Sequence, residues 1–197
     1  MVRPNRPASS LRERKQQRAR EAIIEAAHDL FAERGFGGVT VADIAARAEV
    51  GRATFFRYFG DKQEVVFGDD QGITKVVAEA EQLPVDTPIG DSLPAALAHA
   101  QRIVAAFIAK LIENPEAYTR HERLVAQEPE LRARSLTKQR RYAEELAELL
   151  GRNGADRETA VLAAELGMAC YYAGRTAADN DPRRLLQAVD AAFRRLL

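Results

Sequence analysis

The stretch Arg52 to Lys62 reads RATFFRYFGDK and places four aromatics, Phe55, Phe56, Tyr58 and Phe59, inside five residues. The whole chain holds eight Phe, five Tyr and no Trp, so this crowding is local rather than compositional. On a helix, at about 100° per residue, Phe55 and Phe59 share one face. Ala53, Thr54 and Arg57 then lie broadly opposite, with Phe56 and Tyr58 on the flanks. A helix of two turns does not hold itself in water. The spacing therefore predicts that Phe55 and Phe59 dock it onto a neighbour, and burying two Phe side chains supplies on the order of 3–6 kcal/mol. Ile23, Phe31 and Ile44 are the expected partners. The opposite face is left small, polar and basic.

What precedes the stretch is helical too. Ser10-Leu11-Arg12-Glu13 is a capping-box start, with Ser at the N-cap and Glu at the third helical position. Ile23, Ala26, Ala27, Leu30 and Phe31 follow at helical spacing, and Gly35 is placed to end that helix. Thr40-Val41-Ala42-Asp43 opens a short second helix that turns Ile44, Ala45 and Ala48 inward. Glu49 to Gly51 is the turn, and the third helix runs from about Arg52 to Phe59. Three short helices with a tight turn before the last form a helix-turn-helix arrangement. Such an arrangement presents its last helix to a major groove. Arg57 is suited to guanine or phosphate, and Thr54 to phosphate or a thymine methyl. Asp61-Lys62-Gln63-Glu64 starts a fourth helix, expected to run to about Gln82, with Lys62 at its phosphate-favouring N-terminus.

Formal net charge is zero, but residues 1–60 carry eleven Lys/Arg against seven Asp/Glu. Residues 3–20 alone hold Arg3, Arg6, Arg12, Arg14, Lys15, Arg18 and Arg20 against one acid, Glu13. A basic head on an acidic body points to a polyanion partner for the head. Pro4 and Pro7 keep the first residues extended, so Arg3 and Arg6 are suited to a minor groove. The single cysteine, Cys170, excludes an internal disulfide and a multi-cysteine metal site, and fits a reducing cytoplasm. The first residues, MVRPNRPASS, lack an apolar segment, and no run of about 18 uncharged apolar residues follows. Neither a signal peptide nor a membrane span is expected, and the expected location is cytoplasmic.

After Gln82 the composition changes. LPVDTPIGDSLP, residues 83–94, holds three prolines and a glycine and reads as a linker or long loop. Leu93, Ala96, Leu97, Ala100, Ile103, Val104, Phe107, Ile108 and Leu111 then form an amphipathic stripe. Asn114-Pro115 and Asp181-Pro182 read as N-cap and first helical residue. Two long helices, about 129–150 and 156–178, lie between them, separated by GRNGAD. The expected fold is all-α, with a three-helix DNA-binding head, a larger helical body and about nine helices in total. The expected divisions are a flexible basic arm at 1–9, a helix-turn-helix domain at 10–60, a connecting helix at 61–82 and a helical body at 83–197, to which the family resemblance carried by residues 14–67 implies ligand binding and dimerisation.

The stretch ERGFGGVTVADIAARAEVGRATFFRYFGDKQEVV resembles the N-terminal DNA-binding domain of TetR-family transcriptional regulators. The likeness runs from about Arg14 to Phe67. It includes the glycine after the first helix, the Thr N-cap, the DIA tripeptide, the turn and the TFFRYF-x-x-K tail. The resemblance implies a homodimer that sets its third helices in successive major grooves of a near-palindromic double-stranded DNA operator. It also implies release by a small molecule bound in the body. Carried over by position, Arg52, Ala53, Thr54, Phe56, Arg57 and Tyr58 form the DNA-facing segment, while Thr40 and Lys62 are phosphate contacts. Two residues depart from the pattern. Phe56 stands where a tyrosine is frequent, which removes a hydroxyl, and Gly51 stands where an N-cap serine is frequent.

In the body, polar groups on apolar helices are the candidates for a ligand pocket. They are His99, Tyr118, His121 and the GMACYYAG segment with Met168, Cys170, Tyr171 and Tyr172. Phe107, Leu111, Leu124 and Met168 give such a pocket an apolar character, which favours a hydrophobic effector, fatty-acyl or aromatic. The ligand-binding set is thus Phe107, Leu111, Tyr118, His121, Leu124, Met168 and Tyr171. Helices 156–178 and 182–197 are the expected dimer surface. Their small residues Ala160, Ala163, Ala164, Gly167 and Gly174 permit close approach, and Ala188, Ala191, Ala192 and Phe193 continue the pattern. Three scattered histidines and one cysteine offer no nucleophile, base or metal constellation, so an enzyme is not expected, nor a cofactor. The reading is a ligand-responsive repressor. The alternatives are an activator, or a helical partner-binding scaffold with a weakened DNA head.

Overall fold

The computed structural model describes residues 11–68 and 89–197, which fall in two compact units, Met1–Gly68 and Asp69–Leu197. Among the described residues there are nine helices and no strand, only an isolated bridge between Gly90 and Ala155. The expected arm at 1–9, the Ser10 cap and the first half of the proline-rich stretch, residues 83–88, lie outside the described residues.

The first unit is built on α1 (Leu11–Arg34), whose Ile23, Ala26, Ala27, Leu30 and Phe31 are buried. Gly35 ends it at φ 72, and its amide reaches back 3.0 Å to the Phe31 carbonyl. That left-handed conformation is the one glycine adopts without strain. α2 (Val41–Arg47) starts from a complete capping box. The Asp43 amide donates 3.2 Å to Thr40 Oγ1, and the Thr40 amide donates 2.9 Å to Asp43 Oδ2. In the turn that follows, Glu49 rather than Gly51 takes the left-handed backbone, at φ 54. Gly51 instead caps α3 (Arg52–Tyr58) with an extended backbone and no side-chain bond. Phe55 and Phe59 are fully buried, as the helical spacing predicts, alongside Ile23, Phe31 and Ile44 in the buried set.

Asp61 caps α4 (Lys62–Val66) by accepting from the Glu64 amide at 2.7 Å. This helix ends at Val66, short of the continuous helix to Gln82 expected from sequence, and residues 69–82 lie outside the described residues. The break is physical. At Gly68 the chain passes so close to Phe59 and Ile24 that an added Cβ would stand 3.0 Å from the Phe59 ring. The Arg20 guanidinium lies over the Phe59 ring, 5.2 Å from its centroid, and donates to the Gly68 carbonyl, fastening the turn to α1.

The second unit holds α5 (Leu93–Leu111), α6 (Pro115–Gln127), α7 (Pro129–Arg152), α8 (Arg157–Ala177) and α9 (Pro182–Phe193). Ser92, Asn114 and Asp181 cap α5, α6 and α9 with their side chains, and a proline opens α6, α7 and α9. Proline costs nothing there, because the first amides of a helix lack an internal partner anyway. α8 is the central helix, packed against α5, α7 and α9. The bridge at Gly90, with its amide 2.8 Å from the Gly154 carbonyl, ties the start of the unit to the α7–α8 loop.

The small residues of α8 serve this packing, which corrects the reading of them as a surface for a second subunit. Ala160, Ala163, Ala164, Gly167 and Gly174 are buried within the chain. A Cβ on Gly174 would lie 2.5 Å from Val189 Cα in α9, so the two backbones touch where only hydrogen fits. A Cβ on Gly167 would meet Ala100, Leu146 and Phe193. Phe193 is fully buried, while Ala188, Ala191 and Ala192 are half-buried. What α8 and α9 leave outside is different: Val161, Leu162 and Leu186, with 47%, 49% and 36% of their surface exposed.

Candidate nucleic-acid interface and the polar centre of the body

With Phe55 and Phe59 turned into the first unit, α3 presents Arg52, Ala53, Phe56 and Arg57 outward, with Thr54 and Tyr58 half-buried. This separation follows from the helical period alone. Two of the outward groups are held in place. Phe56, 51% exposed, meets Phe55 edge-on with ring centroids 5.5 Å apart and planes at 84°. The Arg57 guanidinium lies 5.2 Å from the centroid of the Tyr58 ring. A guanidinium stacked on a ring loses less freedom when it binds a planar partner such as a guanine edge or a phosphate.

Thr40 is exposed at the start of α2 and tied to Asp43, whose carboxyl is held below its usual range by the hydrogen bonds from the Thr40 side chain and backbone. Arg12, Arg14, Lys15 and Arg18 are exposed along the first half of α1, whereas Arg20 is buried on Phe59. Lys62 points inward. Its ammonium donates to the carbonyls of Phe36 at 2.8 Å and Val39 at 3.0 Å and sits 4.3 Å from the centroid of the Phe36 ring. It ties α4 to the α1–α2 loop, a role its place in the sequence did not disclose.

In the second unit, Tyr118, Met168 and Tyr171 come together in one core, with Phe107 and Leu111 packed against it. The Phe107 and Tyr171 rings are 5.9 Å apart at 66°, and Tyr171 and Tyr172 are 5.1 Å apart at 69°. Leu124 is half-buried and stands outside that core, and His121 is half-buried beside Glu122 on the same helix. Sequence reasoning missed the charged pair in this neighbourhood. Arg175 of α8 lies 3.4 Å from Glu122 of α6, and its guanidinium stacks over Tyr172 at 5.4 Å and Tyr171 at 5.9 Å. No local pattern announces a pair so far apart in sequence. Burial pushes the Glu122 carboxyl up, with Arg175 pulling the other way. Burial pushes Tyr171 up to about 12. Burial likewise raises Tyr118 and Tyr172, so all three hydroxyls keep their protons near neutrality.

His99 is buried on α5 and its Nδ1 lies 2.7 Å from an Arg102 guanidinium nitrogen, which makes the ring nitrogen the acceptor. Burial and then Arg102 hold its pKa down. Cys170 is buried, and its thiol is pushed up by burial, the behaviour of a small hydrophobe.

The family of bacterial regulatory proteins designated tetR matches residues 23–67. The HTH-type transcriptional repressor Rv3405c of Mycobacterium tuberculosis is 51% identical over 45 residues, covering 23% of this chain and 24% of that protein. The regulator TcmR of Streptomyces glaucescens is 36% identical over 101 residues, covering 51% of this chain and 42% of its own length. This chain thus spans about a quarter of the length of the first curated relatives it matches. Among solved structures, SmeT of Stenotrophomonas maltophilia in complex with triclosan superposes with a TM-score of 0.56 at 19% identity, over 89% of this chain and 90% of that one. That likeness extends the shared fold through the body. No single helix among the described residues is long and apolar enough to cross a membrane.

Proposed function

We propose that this chain is a DNA-binding transcriptional repressor of the TetR type, a reading supported by the match of residues 23–67 to that family's bacterial regulatory proteins. It acts as a homodimer on a palindromic operator and is released by a small hydrophobic effector. The observation that carries this reading is the division of α3. Two aromatics anchor it from beneath, and the outer face offers Arg52, Ala53, Thr54, Phe56 and Arg57. Tyr58 flanks that face and stacks under Arg57. Exposed arginines and a lysine on α1 add sequence-independent attraction to phosphate.

The homodimer is supported by the outer stripe of α8, where Leu162, Glu165, Ala169 and Ala173 recur at helical spacing and are all exposed. Leu186 adds an exposed apolar group on α9. The effector is supported by the core that Tyr118, Met168 and Tyr171 share, with Phe107 and Leu111 packed against it.

The test is to incubate the purified chain with fragmented genomic DNA at about physiological salt and sequence the retained fragments. A palindromic site is the expected result, retained more weakly by Arg57→Ala. Retention no better than that of bulk DNA across a salt series would overturn the reading and leave a helical scaffold with a weakened head.

A further inference from the structure

Tyr118 has only 5% of its surface exposed, and its hydroxyl has no hydrogen-bond partner among the described residues. Buried hydroxyls are nearly always paired, so an orphan calls for an explanation. Its surroundings supply one. Glu122 follows Tyr118 by four residues on α6 and so lies on the same helical face. Glu122 reaches Arg175, and that guanidinium stacks on Tyr171 and Tyr172, with Phe107 edge-on beyond them.

The charges here cancel. Arg175 and Glu122 keep only 26% and 13% of their side-chain surface in water. An anionic ligand would compete with Glu122 for Arg175 and strand a buried carboxylate. A cationic ligand would compete with Arg175 and strand a buried guanidinium. Either loss is strongly unfavourable away from water. The remaining offer is aromatic ring surface, which favours edge-to-face and offset contacts with other rings. To it is added one hydroxyl that keeps its proton and can both donate and accept.

We infer that the body's effector site is centred on Tyr118, beside the Glu122–Arg175 pair, and takes an uncharged aromatic molecule carrying a hydroxyl or carbonyl oxygen. This rests on the effector-responsive reading above and specifies its ligand class.

The test is calorimetric titration of the full chain, without DNA, by four probes on one ring system: 2-naphthol, 2-naphthoate, 2-naphthyltrimethylammonium and naphthalene. The expected order has 2-naphthol tighter than either charged probe by tenfold or more. Tyr118→Phe is expected to weaken 2-naphthol by roughly tenfold and leave naphthalene unchanged. The variant should melt at or above the wild-type temperature, because it removes a hydroxyl with nothing to lose. A charged probe binding as tightly as 2-naphthol, an unchanged 2-naphthol affinity in the variant, or no binding by any probe would overturn the inference. So would a fall in melting temperature, which would show that the hydroxyl has a partner in the fold. With DNA left out, a negative titration leaves operator binding standing, and a failed DNA retention leaves the titration readable.

Discussion

The ammonium of Lys62 spends two of its three protons on the carbonyls of Phe36 and Val39 and rests on the Phe36 ring. Its position in the motif implies a phosphate contact, and its geometry implies a clamp that sets α4, and with it the end of α3, against the α1–α2 loop. Salt dependence separates the two roles. Each phosphate neutralised contributes about 0.9 to the slope of log affinity against log salt on duplex DNA. Lys62→Met is expected to lower operator affinity while leaving that slope as it is, and to cost the head roughly 1.5–3 kcal/mol of stability through the lost charge-assisted bonds. Arg57→Ala, by contrast, should reduce the slope by about one phosphate's worth without destabilising the head, since Arg57 is exposed. A slope that falls by about 0.9 in Lys62→Met returns Lys62 to the phosphate.

The helix boundaries were legible in sequence wherever a local device sets them. Thr40 with Asp43, Asn114 before Pro115, and Asp181 before Pro182 each satisfy amides within a few residues, and a reader of the sequence sees the whole device. The buried pair Phe55 and Phe59 was legible for the same reason, since their spacing alone puts them on one face. What was not legible depends on distant partners. The stop at Gly68 requires Phe59, Ile24 and Arg20 to arrive together, and the Glu122–Arg175 pair joins two helices with a third between them in sequence. The glycines of α8 make the point sharpest. Sequence shows a close approach is permitted but not by which helix, and at Gly174 the structure assigns it to α9 of the same chain. Gly174→Ala should therefore cost about 3 kcal/mol or more, because its Cβ meets Val189 backbone atoms that do not rotate away. Gly151→Ala, near the end of α7 with nothing within 4 Å, should instead stabilise by up to about 1 kcal/mol. Urea denaturation of the two variants against wild type checks both signs. A neutral Gly174→Ala would show that α8 and α9 stand further apart.

At the scale of the whole molecule, the same correction changes where a second subunit is expected to dock. If the small residues are consumed inside the chain, the pairing surface must be built from what α8 and α9 leave outside. Leu162 is the clearest member, half exposed at the start of the stripe and followed by exposed Ala169 and Ala173. A carboxylate there would be desolvated without a counter-charge in a symmetric interface, and each substitution would appear twice, facing or near its own copy. In the isolated chain the same carboxylate would remain in water and cost little. Leu162→Glu is therefore expected to convert a dimer to a monomer in sedimentation equilibrium at micromolar concentration while leaving the helical spectrum unchanged. Its effect on DNA follows from the geometry of a two-part site. A monomer reads one half-site, so the gain from linking two binding heads is lost, typically a factor of a hundred or more. Affinity for a single half-site should stay as in wild type. Ala163→Glu serves as the contrast: that position is fully buried within the chain, so the variant should unfold the body rather than separate intact subunits. A dimeric Leu162→Glu protein with undiminished operator binding would move the pairing surface off the outer stripe of α8.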